Sequence, residues 1–143
     1  RGWRIVRQKN LYLSAARNTG ARNARGEYVM FMDDDNYARP EEISTFVKVA
    51  RHTGADILTC CMEYFEGTDA PRPTGKPVTR WVPLGPDVAS GYFRNCFGDA
   101  NCLVKRSTFE KLGGFTEIHG VTHEDWEFLA NAALKGCHLE VIP

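Results

Sequence analysis

The sequence predicts an α/β fold in which helices flank a parallel sheet. Three observations carry this expectation. Strand candidates at residues 4–7, 27–32 and 57–65 alternate with segments read as helices, the strand–helix–strand order of parallel sheets. The run over 27–32 is continuously apolar after Glu27, as expected of a strand covered on both faces. With 143 residues, 43% hydrophobic and 11% aromatic, the chain is long enough for one domain with a real core and too apolar for global disorder.

Element by element, Arg4, Ile5, Val6 and Arg7 are read as a short strand. Residues 11–24 form a helix with Leu13, Ala16 and Arg17 on one side and small residues elsewhere, with Gly26 as its stop. The strand over 27–32 ends sharply at Asp33, Asp34, Asp35 and Asn36. Pro40 then suits a first helical position, Glu41 and Glu42 complement the dipole of the first turn, and Ile43, Phe46, Val47 and Ala50 share a face that Gly54 closes. Residues 57–65 are the next strand. Residues 67–91 form a long irregular excursion, broken by Pro71, Pro73, Pro77, Pro83 and Pro86, with a short strand over 78–82; a loop of this length in a compact domain is usually functional or mobile. A strand over 101–105 leads into a short helix capped by Ser107 with Glu110 completing a capping box, and Gly113 and Gly114 end it. Residues 123–135 form a helix whose buried stripe is Trp126, Leu129, Ala130, Ala133 and Leu134, with Gly136 beyond, and residues 139–142 are the last strand.

Charge and cysteines bound the function. Eighteen basic and eighteen acidic residues give zero formal net charge, without the basic excess of a general nucleic-acid binder. No apolar run approaches the ~20 residues that span a bilayer. The five cysteines, Cys60, Cys61, Cys96, Cys102 and Cys137, are odd in number and contain no C-x-x-C pair, which argues against a disulfide framework and a structural zinc site. Cys60 and Cys61 are expected to be buried core residues, and the setting to be reducing and cytoplasmic. The chain opens on Arg1, Gly2 and Trp3 with no initiator Met and is read as a piece of a longer protein.

Two acidic constellations carry candidate chemistry. Asp33, Asp34 and Asp35 stand at the carboxyl end of an expected buried strand, where ligands bind in open α/β sheets. Their mutual repulsion calls for a cation or hydrogen-bond donors, and a hard divalent ion such as Mg²⁺ or Mn²⁺ with oxygen ligands would relieve it and bridge to a diphosphate. The alternative is a solvated acidic loop that starts the next helix. Glu124 and Asp125 fall in the first turn of the 123–135 helix, either as plain dipole complementation or as a general base held at a fixed helix terminus.

These constellations stand in an ordered set of landmarks. Ala16-Arg17-Asn18-Thr19-Gly20, Ala24-Arg25-Gly26-Glu27-Tyr28, Phe31-Met32-Asp33-Asp34-Asp35-Asn36 and Pro40, followed by Cys102-Leu103-Val104-Lys105-Arg106, Phe109, Leu112-Gly113-Gly114-Phe115 and His123-Glu124-Asp125-Trp126-Glu127, resemble a family 2 glycosyltransferase across nearly the whole chain. The resemblance implies a GT-A fold: a mostly parallel, mixed sheet flanked by helices, here a single partial domain over residues 1–143 that lacks the amino-terminal nucleotide-binding segment. It implies an inverting, metal-dependent transfer of a sugar from a nucleotide-diphosphate sugar to a glycan, lipid-linked or other hydroxyl acceptor, in polysaccharide biosynthesis, with further domains in the parent chain. By the same resemblance Asp35 and Asp33 are metal ligands for Mn²⁺ or Mg²⁺. Asp33, Asp34, Arg17 and Asp99 bind the nucleotide or donor sugar, Asp125 is the catalytic base, and Glu124 orients or tunes it. Asn18 is structural or functional, and His119 and His123 flank the site. The competing expectations are a non-catalytic binding or scaffold module of the same shape and another metal-dependent phosphoryl or nucleotidyl transferase.

Overall fold

The structure is a computed structural model that describes residues 3–67, 78–118, 120 and 122–143. The elements follow in the order α1 (Tyr12–Asn23), β1 (Tyr28–Met30), α2 (Glu42–Thr53), β2 (Ile57–Cys60), β3 (Met62–Tyr64), β4 (Thr79–Trp81), α3 (Val88–Gly91), β5 (Leu103–Lys105), α4 (Arg106–Leu112), α5 (Glu124–Leu134) and β6 (Leu139–Ile142). The main sheet has the order β1-β5-β2-β6; β5 runs antiparallel to both neighbours, and β2 and β6 are parallel. Three of the four strands therefore share a direction and β5 opposes them, which is the expected mixed α/β arrangement. β3 and β4 pair apart from it as an antiparallel ribbon.

Two buried clusters cover the faces of this sheet. One gathers Phe31, Phe109, Phe115 and Phe128 with Val29, Ile57, Val104, Leu129 and Leu139 beneath α4 and α5. The other packs Phe46 and Ala50 of α2 on Leu58 and Leu103. Helix ends use the backbone freedom of glycine: Gly54 (φ 73°) closes α2 and Gly113 (φ 91°) closes α4, both in the left-handed region that a Cβ penalises.

Several sequence expectations need correction. Arg4, Ile5, Val6 and Arg7 form no strand; they are exposed, and Arg4 donates to Asn23 (3.0 Å). Without a ladder partner among the described residues, their strand propensity has nothing to pair with. α1 buries Ala15, Arg17, Asn18 and Ala21, while Leu13 and Ala16 face outward, because Arg17 and Asn18 find polar partners inside. Its cap is Ala24, not Gly26. The run over 57–65 splits at Cys61 into β2 and β3, which belong to different sheets. Pro40 and Glu41 lie in the turn ahead of α2, whose Ile43 is exposed. Ser107 sits inside α4, which has no side-chain cap; Glu110 instead pairs with Arg106 one turn earlier (2.7 Å). In α5 the buried residues are Phe128, Leu129 and Ala132, with Trp126, Ala130 and Ala133 packed at their edge and Leu134 exposed. Cys60 and Cys61 are only half-buried, whereas Cys96 and Cys102 are in the core; all five thiols are free. Burial pushes the Cys60 thiol up to about 11, so it is not a nucleophile at neutral pH. His119 and residues 68–77 of the long excursion lie outside the described residues.

Candidate active site

The site is organised around one buried arginine. α1 presents Arg17 to the interior, where Nη2 donates to Asp33 Oδ1 (2.6 Å) and Nη1 to Glu124 Oε1 (2.5 Å). The three side chains are 7%, 30% and 15% exposed. A planar guanidinium suits this double engagement, because its N–H groups fan out in a rigid fork. The ring of Phe115 lies under it, 5.4 Å from the guanidinium carbon. Burial opposes the charge on Arg17, and the two carboxylates override that penalty, so its pKa stands above the ordinary value. The two acidic constellations, remote in sequence, are thereby brought to one cation.

Asn18, the next residue, fixes the floor. Its Nδ2 donates to the Phe115 carbonyl and to Glu117 (both 2.8 Å), and its Oδ1 accepts from the Phe115 N–H (2.9 Å). Gly114 (φ 77°) makes the approach possible, since a Cβ there would lie 2.6 Å from Asn18 Oδ1. Asn18 is thus a structural tie between α1 and the turn that precedes α5.

Asp33 follows β1 and turns the chain, its carbonyl accepting from the Asn36 N–H (3.2 Å). Asp34 and Asp35 are exposed on that turn. A groove of about 860 Å³ runs from this turn between β1 and α1, lined by Leu13, Ala16, Met30, Met32 and the three aspartates.

Asp99 and Asp125 complete the acidic group. Burial raises the Asp99 carboxyl; the Asn101 N–H (2.9 Å) opposes the shift, and the negative fields of Asp33 and Asp35 reinforce it while Arg17 counters. Asp99 is placed by Gly98, whose φ of 142° and close approach to Thr59 (2.4 Å for a notional Cβ) exclude a side chain. Thr59 Oγ1 donates to the Phe97 carbonyl (2.9 Å) and holds that segment on β2. Burial likewise raises Asp125, with the charges of Asp99 and Glu124 adding to it and backbone N–H groups at the start of α5 opposing. Such a carboxylate is a stronger base than a solvated one.

Among the predicted site residues, Arg17, Asp33 and Glu124 touch directly, and Asp99 and Asp125 lie within their field. His123 stands just before α5 with φ 71°, exposed, its ring edge-on to Trp126 at 6.0 Å. Asp34 and Asp35 join no ready-made cage: among the described residues, no group of three or more His, Cys, Asp or Glu is placed to hold an ion by itself. Sequence reading missed the supporting residues Thr59, Glu42 and Asn101. Glu42 accepts from the Arg39 N–H (3.1 Å) and from Asn101 Nδ2 (3.2 Å), linking the start of α2 to the Asp99 segment. The only signal for Thr59 was a polar residue inside an apolar strand.

This arrangement of a mixed α/β sheet with a carboxylate site at strand and helix ends defines a class, and residues 1–113 match glycosyl transferase family 2. The chain belongs to that family. It is 39% identical over 57 residues to the uncharacterized glycosyltransferase EpsJ of Bacillus subtilis, covering 40% of this chain and 17% of that protein. It is 32% identical over 88 residues to the uncharacterized glycosyltransferase YibD of Escherichia coli, covering 59% of this chain and 26% of that protein. A match to glycosyltransferase GlyA of Streptococcus pneumoniae is 42% identical over 52 residues, 36% of this chain and 8% of the relative. The chain therefore spans about a quarter or less of the length of these relatives. The crystal structure of Staphylococcus aureus TarS 1–349 covers 90% of this chain and 37% of its own, with a TM-score of 0.63 and 21% identity, a likeness that carries the GT-A fold. Among the described residues no helix is long and apolar enough to cross a membrane.

Proposed function

We propose that this chain is the motif-bearing part of a glycosyltransferase domain that moves a sugar, with inversion, from a nucleotide-diphosphate sugar to an acceptor hydroxyl. The observation that carries this reading is the Arg17 fork. It gathers Asp33 and Glu124 at one point with the half-buried carboxylates Asp99 and Asp125 in their field. Asp125 is the base that takes the acceptor proton, and its raised proton affinity brings it nearer the operating pH of a general base. A single in-line displacement with that base opposite the leaving group inverts the anomeric centre. Glu124, gripped by Arg17, fixes the first turn of α5 and hence the aim of Asp125. Because the guanidinium is buried and already holds two carboxylates, Arg17 acts by positioning them rather than by gripping the diphosphate.

The donor set fits a hard divalent cation that arrives with its substrate: such ions use one or two carboxylates and complete their shell with phosphate oxygens and water. Asp35, exposed on its turn, with Asp33 beside it, would hold Mn²⁺ or Mg²⁺, which would offset the charge of the departing diphosphate. Asp34 and Asp99 are left for donor hydroxyls. The test is a panel of nucleotide-diphosphate sugars offered with and without Mn²⁺. Metal-dependent release of a nucleoside diphosphate, abolished in Asp125→Asn, is the expected outcome; release of pyrophosphate would identify a nucleotidyl transferase instead.

A further inference from the structure

We propose that Glu42 and Asn101 are positioning residues for the donor sugar: together they fix Asp99 relative to the acidic turn at 33–36, so that the site holds the sugar as well as the diphosphate. This rests on the transferase reading above, in which Asp99 meets donor hydroxyls.

The two sides of that donor site come from distant parts of the chain. The acidic turn follows β1 and leads into α2, whereas Asp99 stands just ahead of β5. Glu42, the first residue of α2, joins them with both of its oxygens. Oε2 accepts from the Arg39 N–H (3.1 Å) and closes the loop that leads from the acidic turn. Oε1 accepts from Asn101 Nδ2 (3.2 Å), and the Asn101 N–H donates to Asp99 Oδ1 (2.9 Å). The same loop is anchored on its other side, where Arg39 Nη2 donates to Glu63 Oε2 on β3 (2.7 Å). With Gly98 seated on Thr59, Asp99 is held from both directions along the chain, by β2 before it and by α2 after it.

The choice of asparagine at 101 is the second observation. Its neighbours Ala100 and Cys102 are buried and it is itself only 9% exposed, yet its Oδ1 has no hydrogen-bond partner among the described residues. A buried acceptor without a partner is costly, and an apolar side chain of similar size would avoid that cost. Asparagine is therefore a poor residue here for stability alone. Departures from local rules of this kind concentrate where a site needs a particular contact, and the contact made is the Nδ2 grip on Glu42. Plain complementation of the α2 dipole would give Glu42 no need of that partner.

The consequence falls on the sugar. Asp99 is a half-buried carboxylate in the negative fields of Asp33 and Asp35, with Arg17 opposing them. A carboxylate accepts hydrogen bonds from sugar hydroxyls only when its place is held closely, and a supporting contact of this kind is what holds it. The diphosphate and its metal would be met by the acidic turn without Asp99. Loosening the link between Glu42 and Asn101 should then weaken the hold on the sugar and spare the diphosphate.

The experiment combines amide hydrogen exchange with calorimetric binding, on Asn101→Leu, Asn101→Asp, Glu42→Gln and the double variant Glu42→Gln/Asn101→Asp. The ligands are uridine and guanosine diphosphate and a panel of their sugar conjugates, each with Mn²⁺. Asn101→Leu loses the costly acceptor together with the bond, so its melting temperature should stay close to that of the wild type. Its backbone N–H at 101 should nevertheless exchange roughly tenfold faster. Sugar-conjugate binding should weaken roughly five- to tenfold, with diphosphate binding within about twofold of the wild type. Asn101→Asp sets acceptor against acceptor and should lose more. Adding Glu42→Gln reverses the hydrogen bond, which then runs from the glutamine amide to the aspartate carboxylate, and should recover most of the sugar binding. Unchanged exchange at 101 in Asn101→Leu overturns the proposal. So does equal weakening of diphosphate and sugar conjugate, which is the mark of a merely structural role, or a double variant no better than Asn101→Asp. A wild type that binds a diphosphate but none of the conjugates overturns it too and leaves the diphosphate half of the transferase reading standing. A wild type that binds neither counts against the transferase reading itself, and the link is then structural only.

Discussion

Arg17 is the residue on which the site closes, and its removal has a cost that can be estimated. Truncating it to methionine keeps most of the apolar stem but leaves Glu124 and Asp33 facing each other with little solvent. Stranding one member of a buried ion pair costs about 3–5 kcal/mol, and the partial exposure of Asp33 discounts this to roughly 2–4 kcal/mol. Urea denaturation of Arg17→Met should show that loss, and Arg17→Lys should recover only part of it, because an ammonium cannot fork between two carboxylates. Asp125 sets a pH dependence. Burial raises its folded pKa above the unfolded value, so its contribution to stability is fully present below the unfolded pKa and is lost as pH rises through the raised folded pKa. In the proposed role of Asp125, activity should run the other way, since a base must be deprotonated. Transfer should therefore rise along an acid limb centred above the ordinary carboxylate range, and Asp125→Asn should cost about 10²-fold or more in kcat. A limb at the position of a solvated aspartate would refute this assignment.

At the level of elements, the tie between α1 and the turn before α5 runs through Asn18 and Gly114. A side chain at Gly114 meets Asn18 Oδ1 at 2.6 Å and must adopt a φ of 77°. Gly114→Ala should therefore cost about 1–3 kcal/mol, while Gly136→Ala, which meets nothing within 4 Å and has a similar φ of 71°, should cost less. The comparison, made by thermal denaturation, separates packing from backbone strain. How much of this was legible in the sequence varies by element. β6 was read to the residue, and α1 and α5 to within a residue or so at each end, because hydrophobic spacing and flanking glycines are local signals. The face of α1 was misjudged: Leu13 is apolar and Ala16 small, yet the inward face carries an arginine and an asparagine, whose partners are 16 to 107 positions away. No local rule sees such partners. The break at Cys61 was hidden for the same reason, since a mostly apolar run without Gly or Pro does not reveal that its halves pair with different strands.

Across the whole molecule, the Arg17 fork rests on the aromatic core, whereas the other core reaches the acidic group through α2, whose Glu42 accepts from Asn101 in the Asp99 segment. Phe31, two residues before Asp33, meets Phe115 at 5.1 Å and Phe109 at 5.3 Å; Phe115 meets Phe128 at 4.8 Å and also lies beneath Arg17. Phe128 is three residues beyond Asp125, so the aromatic box carries the turn after β1, the arginine and the first turn of α5 together. Phe46, by contrast, packs α2 on the opposite cluster with Leu58 and Leu103. Both rings are about 2% exposed, so truncating either to alanine should destabilise by a similar amount, about 3–5 kcal/mol. Their effects on the site should diverge. Replacing Phe115 by leucine, which retains enough volume to fold, should loosen the support of Arg17 and weaken Mn²⁺-dependent nucleoside diphosphate binding. Phe46→Leu should lower the denaturation midpoint while leaving that binding intact in the folded protein. Calorimetric titration of the two variants well below their melting temperatures decides the matter. Equal losses of binding would mean that the two cores act as one unit and that the aromatic box has no privileged connection to the carboxylates.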